Sequence, residues 1–350
     1  MPSRLRLNIE AAFSTAGTER ATMKIAFLYG ENAFTVELLR QLRIKLAGHE
    51  VLAWIAGETA PAHDLDLLLV HLDPATGRVE RAQLADQPKL ALIHTVITGY
   101  ENIDMNAASD LGIWVSYSPS NLTGNAASVA EFALLLLLGA SRHLGEVLLS
   151  QRDDSVKPSF FYPALSGKTV CIVGMGNIGR LLVDRLRPFG VRLVATDEYP
   201  ENAPAGVTAY PANRLSTAVA EADYVVVCVR ASKENENLID AAMMRAMKRG
   251  AILVNIARGS LVDEEALIAA VKDGQISAAG LDVLKNEPLD AKNPLLQLPQ
   301  ILVTPHIAGP TDLNLSGTAD YCGLVVEQFL AGKKPISILN SPRSPRRALA

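Results

Sequence analysis

The chain has 350 residues, 49% of them hydrophobic and 20% charged, which is enough for two ordinary domains with full cores and too apolar for a disordered protein. A formal net charge of -4 leaves no excess of basic surface and argues against nucleic acid or an anionic membrane as the main partner. Three cysteines, Cys171, Cys228 and Cys322, stand far apart, two of them inside apolar strand-like runs. That spacing fits buried thiols in a reducing, cytoplasmic compartment better than disulfides or a metal site.

Residues Met1 to Thr22 carry arginines, serines and threonines with no sustained period, and a clean strand begins at Met23. The first 22 residues are therefore expected to be a disordered extension, with Met23 as the functional start. Glu10 and Glu19 argue against an organelle-targeting peptide. Lys24 to Tyr29, Val51 to Trp54, Leu65 to Val70 and Leu90 to His94 are short apolar runs alternating with helix-like segments such as Val36 to Leu46. This is the pattern of a parallel sheet with helices on its faces.

After Gly112 to Tyr117 and a polar break at Ser118-Pro119-Ser120-Asn121, residues Ala126 to His143 form a long helix with Glu131 as its only charge before Arg142. So apolar a helix must be buried, between domains or against a partner subunit. Its greasiest part, Phe132 to Ala140, falls short of the roughly 20 residues a membrane span requires. Neither a span nor a secretory signal is expected. Further strands are predicted at Tyr224 to Val229, Ala251 to Ile256, Ala278 to Val283 and Ile301 to Thr304, with a helix at Asp263 to Lys272. A last helix, Ala319 to Leu330, is expected to pack back onto the N-terminal unit. Ser341 to Ala350 is rich in Pro and Arg and should fray.

The chemistry is organised around Val173-Gly174-Met175-Gly176-Asn177-Ile178-Gly179. The apolar run Thr169 to Val173 leads in and a helix-like segment, Arg180 to Arg187, leads out, giving strand, tight turn and helix. In that order Gly174 supplies backbone angles closed to side chains, Gly176 lets the main chain approach a diphosphate, and Gly179 permits close packing of helix on strand. The N–H groups opening the helix then face the anion. A second run, Val191 to Thr196, ends in Asp197, about twenty residues beyond Gly176, where a ribose-binding carboxylate belongs. Asp197 and Glu198 would repel a 2′-phosphate, and no arginine stands beside them in sequence, so NAD is favoured over NADP.

Ligands of doubly wound sheets bind at the carboxyl ends of strands, and three such ends carry polar residues. They are Arg258 in Asn255-Ile256-Ala257-Arg258-Gly259-Ser260, Glu287 in Leu281-Asp282-Val283-Leu284-Lys285-Asn286-Glu287-Pro288, and His306 in Thr304-Pro305-His306-Ile307-Ala308-Gly309. Taken singly, a loop histidine, a surface acid and a helix-end arginine are ordinary. Together, in this order, they are specific.

With these segments the sequence resembles the D-isomer-specific 2-hydroxyacid dehydrogenase family, from about Met23 to Lys334. The resemblance implies an α/β protein of two doubly wound parallel-sheet domains. A flavodoxin-like substrate domain would cover 23–119 plus 310–335, a Rossmann NAD-binding domain 120–309, and a flexible tail 336–350. It implies an active site in the cleft between the domains and a homodimer formed through the nucleotide domain. It also implies NAD as cofactor, a small 2-hydroxy or 2-keto acid as substrate, and no nucleic-acid or membrane partner.

The family's catalytic residues map onto Arg258, Glu287 and His306. Loss of a hydride from Cα and a proton from the hydroxyl requires a base of near-neutral pKa, which suits His306. Ionised Glu287 would orient the imidazole and favour its protonated form. Arg258 would grip the carboxylate in a two-pronged contact and polarise the keto carbonyl. The same mapping gives Asn177 and Ile178 to the diphosphate, Val229, Ile256 and Ala257 to the cofactor's face, and Asp282 to the nicotinamide amide. Thr98 and Gly99, in Val96-Ile97-Thr98-Gly99-Tyr100-Glu101-Asn102-Ile103-Asp104, would donate amides to the substrate carboxylate.

The chain departs from the family pattern at Ile97, where glycine is common, at His71-Leu72, where an Arg-Ser pair is common, and at Arg230, where proline is common. The first two departures point to an unphosphorylated substrate. Two other readings share the architecture, a formate dehydrogenase-like enzyme and a non-catalytic NAD-sensing protein like the related corepressors. Glu287, where formate dehydrogenases typically carry glutamine, disfavours the first. The intact set of Arg258, Glu287 and His306 disfavours the second.

Overall fold

In the computed structural model, residues 22–72, 76–159 and 161–350 are described. The expected N-terminal extension lies almost wholly outside them. The chain divides into two compact units, Met1–Asn125 with Pro310–Ala350, and Ala126–Gly309.

In chain order, the strands of the first unit are β1 (Lys24–Tyr29), β2 (Glu50–Ile55), β3 (Leu67–His71), β4 (Leu92–Thr95) and β5 (Trp114–Tyr117). Its helices up to this point are α1 (Ala33–Lys45), α2 (Arg81–Ala85) and α3 (Met105–Asp110). The sheet is parallel throughout, in the order β2-β1-β3-β4-β5, which is the flavodoxin-like arrangement. Helices on both faces explain why these strands read as unbroken apolar runs. Alternate residues of β1 serve different cores: Ile25 and Phe27 join Leu38 and Leu42 of α1, while Ala26 and Leu28 join Leu84 and Ala107. α1 starts at a reciprocal cap, in which Asn32 Oδ1 accepts the Thr35 N–H and Thr35 Oγ1 accepts the Asn32 N–H, both at 3.0 Å.

The second unit holds α4 (Asn125–Ser141), α5 (Leu144–Ser150), β6 (Thr169–Val173), α6 (Asn177–Leu186), β7 (Arg192–Asp197), β8 (Val207–Pro211), α7 (Leu215–Ala220) and β9 (Tyr224–Val227). It continues with α8 (Ala241–Ala246), β10 (Ala251–Asn255), α9 (Glu264–Lys272), β11 (Ile276–Leu281) and β12 (Ile301–Val303). Its seven parallel strands run β12-β11-β10-β9-β6-β7-β8, so the chain reverses direction across the sheet between β6 and β9. That reversal is the switch point at which doubly wound sheets bind nucleotides. β8 has no counterpart among the predicted strands. It is a half-exposed edge strand that starts only after a 3-10 turn and carries no long apolar run.

α4 is buried against its own sheet rather than needing another domain or subunit to cover most of it. A Cβ on Gly280 of β11 would stand 2.9 Å from Leu136 Cβ, so the glycine permits helix and strand to approach. Leu135, 55% exposed, is the main apolar residue left outside. Among the described residues no single helix is long and apolar enough to cross a membrane; α4 and α5 pass only as a pair, bent by 60°.

The chain then returns to the first unit as α10 (Asp312–Leu330), seven residues longer at its start than predicted because Thr311 Oγ1 caps the Asn314 N–H at 3.1 Å. As expected, α10 packs on the N-terminal unit, with Val325 and Phe329 in the α1 core and Asp320 paired with Lys45. The predicted flexible tail, 336–350, is instead bonded into this unit. The Val115 N–H donates to Asn340 Oδ1 at 2.8 Å, the Arg346 N–H to Gly112 O at 2.8 Å, and Trp114 Nε1 to Arg347 O at 2.9 Å. Composition suggested fraying, but β5 is an edge strand whose open backbone groups need partners, and the tail supplies them.

Candidate active site

The glycine turn is built by close approach. Gly174 has φ +98, and a Cβ on it would lie 2.7 Å from both N and Cα of Val229; a Cβ on Gly179 would lie 2.2 Å from Gly174 O. Gly176 differs, because a Cβ there would meet no described atom within 4 Å. The turn therefore presses β6, α6 and the Val229 segment together while keeping open space at Gly176, directly before the first N–H groups of α6. This space, with its partial positive charge, fits a diphosphate. Ile178 packs into the core beneath the turn, and Asn177 is the first residue of α6.

Asp197 ends β7, and its two oxygens accept the Met175 N–H at 2.7 Å and the Tyr199 N–H at 3.0 Å. It thus anchors the glycine turn, and each oxygen keeps a lone pair for a further donor. Sequence neighbours gave no arginine here, but the fold supplies one nearby: Arg180 of α6 donates to Asn202 O at 2.7 Å in the segment just after Asp197.

Arg258, Glu287 and His306 converge within the second unit. Buried Asn255, the last residue of β10, donates from Nδ2 to Arg258 O at 2.8 Å and accepts the Ala257 N–H at 3.1 Å, which fixes the loop carrying the arginine. A Cβ on Gly259 would come within 1.9 Å of Leu284 C, so this glycine lets the Arg258 loop lie directly on the strand end that leads to Glu287. Glu287 Oε1 accepts the Leu284 N–H at 2.9 Å, and Oε2 meets His306 Nδ1 at 2.8 Å. Burial pushes the Glu287 carboxyl up, but the hydrogen bond and charge of His306, the Leu284 N–H and the charge of Arg258 together bring it below its ordinary value. Glu287 is therefore an acceptor, Nδ1 carries the shared proton, and Nε2, which makes no hydrogen bond among the described residues, is the atom offered to a ligand.

His306 has φ 54, a left-handed conformation that a side chain rarely adopts. Asp282, 1% exposed, holds it there. Its main-chain O accepts the His306 N–H at 2.8 Å, Oδ1 accepts Thr304 Oγ1 at 2.7 Å and the Ile307 N–H at 2.9 Å, and Oδ2 accepts the Ala308 N–H at 2.9 Å. Burial raises the Asp282 carboxyl above its ordinary value against these bonds. The residue assigned from sequence to the nicotinamide amide is thus also a strut of the His306 loop. Ile256 is buried in the core, Ala257 is half-buried, and Val229 packs on Gly174. Arg230, next to Val229, opens a loop closed by Asn235, whose Nδ2 donates to Arg230 O at 2.8 Å.

Thr98 and Gly99 belong to the first unit, on the loop after β4. Beside them is a shallow depression lined by eight residues, none of them basic, with Leu72, Ile97 and Gly99 among them.

Residues 134–308 match the family model described as D-isomer specific 2-hydroxyacid dehydrogenase, NAD binding domain. The chain belongs to the D-isomer specific 2-hydroxyacid dehydrogenase family. It is 34% identical over 287 residues to the glyoxylate reductase of Korarchaeum cryptofilum, covering 79% of this chain and 83% of that one. It is 37% identical over 280 residues to the D-3-phosphoglycerate dehydrogenase of Mycobacterium leprae, covering 78% of this chain and 52% of that one. The chain thus spans about half the length of the phosphoglycerate dehydrogenases it matches. Among solved structures, an NADPH-dependent glyoxylate/hydroxypyruvate reductase from Sinorhizobium meliloti superimposes with a TM-score of 0.75 at 26% identity, over 93% of this chain and all of that one.

Two residues that shape this dehydrogenase-family site escaped the sequence reading. Asn255 was visible as a polar residue ending an apolar strand, the usual mark of a loop anchor. Gly259 gave no signal, because its role depends on Leu284, which is distant in sequence.

Proposed function

We propose that the protein is an NAD-dependent oxidoreductase that interconverts a small, unphosphorylated D-2-hydroxy acid and its 2-keto acid. The observation that carries this reading is the Glu287–His306 pair at 2.8 Å, set beside Arg258 at strand ends of the same sheet that carries the glycine turn. A nicotinamide dinucleotide held by Gly174, Gly176, Asn177, Ile178, Gly179 and Asp197, with Val229, Ile256, Ala257 and Asp282 toward its nicotinamide end, supplies the hydride acceptor or donor. Arg258 binds the substrate carboxylate and polarises the carbonyl, a task its planar fork performs and lysine does not. His306 Nε2 gives a proton to the carbonyl oxygen in reduction and takes it back in oxidation, while Glu287 fixes the ring and stabilises the imidazolium. Thr98 and Gly99 contribute main-chain N–H groups to the carboxylate.

Ile97 and the His71-Leu72 pair, bulkier and less cationic than the glycine and the Arg-Ser pair common in the family, support an unphosphorylated substrate. The Asp197 and Glu198 pair supports NAD. Leu135, Leu148 and Leu149, 55%, 57% and 39% exposed on α4 and α5, support a homodimer formed through the nucleotide-binding unit. Buried thiols at Cys171, pushed up to about 12 by burial, and at Cys322, also pushed up by burial, suit a reducing cytoplasm. The test is NADH oxidation against glyoxylate, hydroxypyruvate, longer 2-keto acids and 3-phosphohydroxypyruvate. The unphosphorylated acids should be reduced with the higher kcat/KM, and a preference for the phosphorylated one overturns the substrate assignment.

A further inference from the structure

His94 is fully buried in β4, and the mechanism makes no use of it. Its Nδ1 meets Ser116 Oγ at 2.8 Å and its Nε2 meets Ser118 Oγ at 3.0 Å. A neutral imidazole has one donor and one acceptor, and hydroxyls rotate to suit either, so two serines satisfy the ring completely. Tyr321 of α10 packs at 5.9 Å between ring centroids, and no charged partner of His94 is recorded among the described residues. Burial therefore holds the imidazole down to about 3, neutral across the working range, which makes it a fixed strut rather than a pH switch.

The strut ends on the substrate loop. Ser118, whose hydroxyl holds His94, donates its N–H to Ile97 O at 3.4 Å and accepts Thr98 Oγ1 at its own carbonyl at 3.2 Å. Ile97 O also accepts Thr95 Oγ1 at 2.9 Å. Because a trans peptide is planar, turning the Ile97 carbonyl toward Ser118 and Thr95 turns the Thr98 N–H the opposite way. Among the described residues, no intramolecular acceptor is recorded for the N–H groups of Thr98 and Gly99. The Thr98 hydroxyl has its single hydrogen committed to Ser118 O, so what Thr98 can donate to an anion is its main-chain N–H.

We propose that His94 and Ser118 are positioning residues that fix the Ile97–Thr98 peptide so that the Thr98 and Gly99 N–H groups are aimed in advance at the substrate carboxylate. This rests on the reading of Thr98 and Gly99 as carboxylate donors. Loosening the strut leaves hydride and proton transfer intact and weakens capture of the acid.

The experiment measures KM and kcat for hydroxypyruvate, NADH affinity by fluorescence titration, and Tm, in His94→Phe, Ser118→Ala, Ser118→Thr and Gly99→Leu. In His94→Phe and Ser118→Ala, KM should rise about tenfold, with kcat within about twofold and NADH affinity unchanged. Ser118→Thr, which keeps the hydroxyl, should stay near the parent. Should His94→Phe fail to fold, Ser118→Ala, a loss of one oxygen, carries the same comparison. If Gly99→Leu raises KM while the His94 and Ser118 variants lower only Tm, the two residues merely pack the core and the proposal is overturned. If Gly99→Leu also leaves KM unchanged, the carboxylate reading of the loop fails, and the proposal falls with it.

Discussion

His94 and His306 both stand at or beyond the end of a parallel strand, one in each unit, yet their surroundings differ in every respect that matters to a proton. His94 has no exposure and only serine hydroxyls at its nitrogens, so an added charge would have no solvent and no counter-ion. The side chain of His306 is 37% exposed, with Glu287 Oε2 on one nitrogen and no hydrogen bond to the other among the described residues. A residue type is thus no guide to its role, whereas the charge and water around it are. His94 serves as a neutral hydrogen-bonding piece of the frame, whereas His306 pairs with a carboxylate and reaches solvent.

The largest expected effect tests the active half of this comparison. His306→Gln keeps a side chain able to bond Glu287 but has no group that exchanges a proton near neutrality, and kcat/KM should fall roughly 10²–10⁴-fold. A loss below about tenfold in steady-state assays would mean that another group exchanges the proton.

The next effect tests the packing that assembles the site. Gly259→Ala places a Cβ 1.9 Å from Leu284 C, so one of two backbone segments must move and Arg258 shifts against Glu287. We expect a destabilisation of about 1–3 kcal/mol in urea melts. A drop in kcat/KM of about tenfold or more should accompany it. An unchanged Cm together with unchanged kinetics would show that the contact relaxes freely.

The third effect concerns pH. Glu287 titrates below its ordinary range and so is ionised wherever the enzyme works, where its charge stabilises a proton on His306. In Glu287→Gln that charge is gone. The kcat/KM profiles of keto-acid reduction and of hydroxy-acid oxidation should then both move to lower pH. Superimposable kcat/KM profiles in the two directions would dissolve the pair.

The smallest effect is at the cofactor. Asp197→Ala should narrow the preference for NADH over NADPH by roughly tenfold or less, because Asp197 also anchors Met175 and Tyr199 and part of its loss is structural. A preference that stays constant while Tm falls would leave Asp197 with the anchoring role alone.

Much of this was legible in the sequence because it is written in local patterns. β1 and β6 lie at their predicted bounds, the ends of the other predicted strands shift by at most two residues, and the parallel order follows from strands alternating with helices. Gly174 and Gly179 declare a turn because each answers a steric demand, with Gly176 leaving open space between them, and the three polar strand ends follow in a fixed order.

Less legible were the features whose partners lie far along the chain. The tail was read as frayed because composition alone does not reveal that Gly112, Trp114 and Val115 offer it hydrogen bonds from more than two hundred residues away. The helix at Ala126 was given an outside partner because its pattern shows only that it must be covered, not that Gly280 opens its own sheet to it. Asp282 was legible as a strand-end carboxylate, but its hold on Thr304, Ile307 and Ala308 was not. Periodicity and backbone-angle demands act within a few residues, so the sequence by itself determined the strands, the glycine turn and the order of the site residues. Desolvation and hydrogen-bond satisfaction depend on what the folded chain brings alongside, and so only the tertiary structure decided that His94 is neutral, that His306 meets Glu287 in a left-handed loop, and that Gly259 must remain without a side chain.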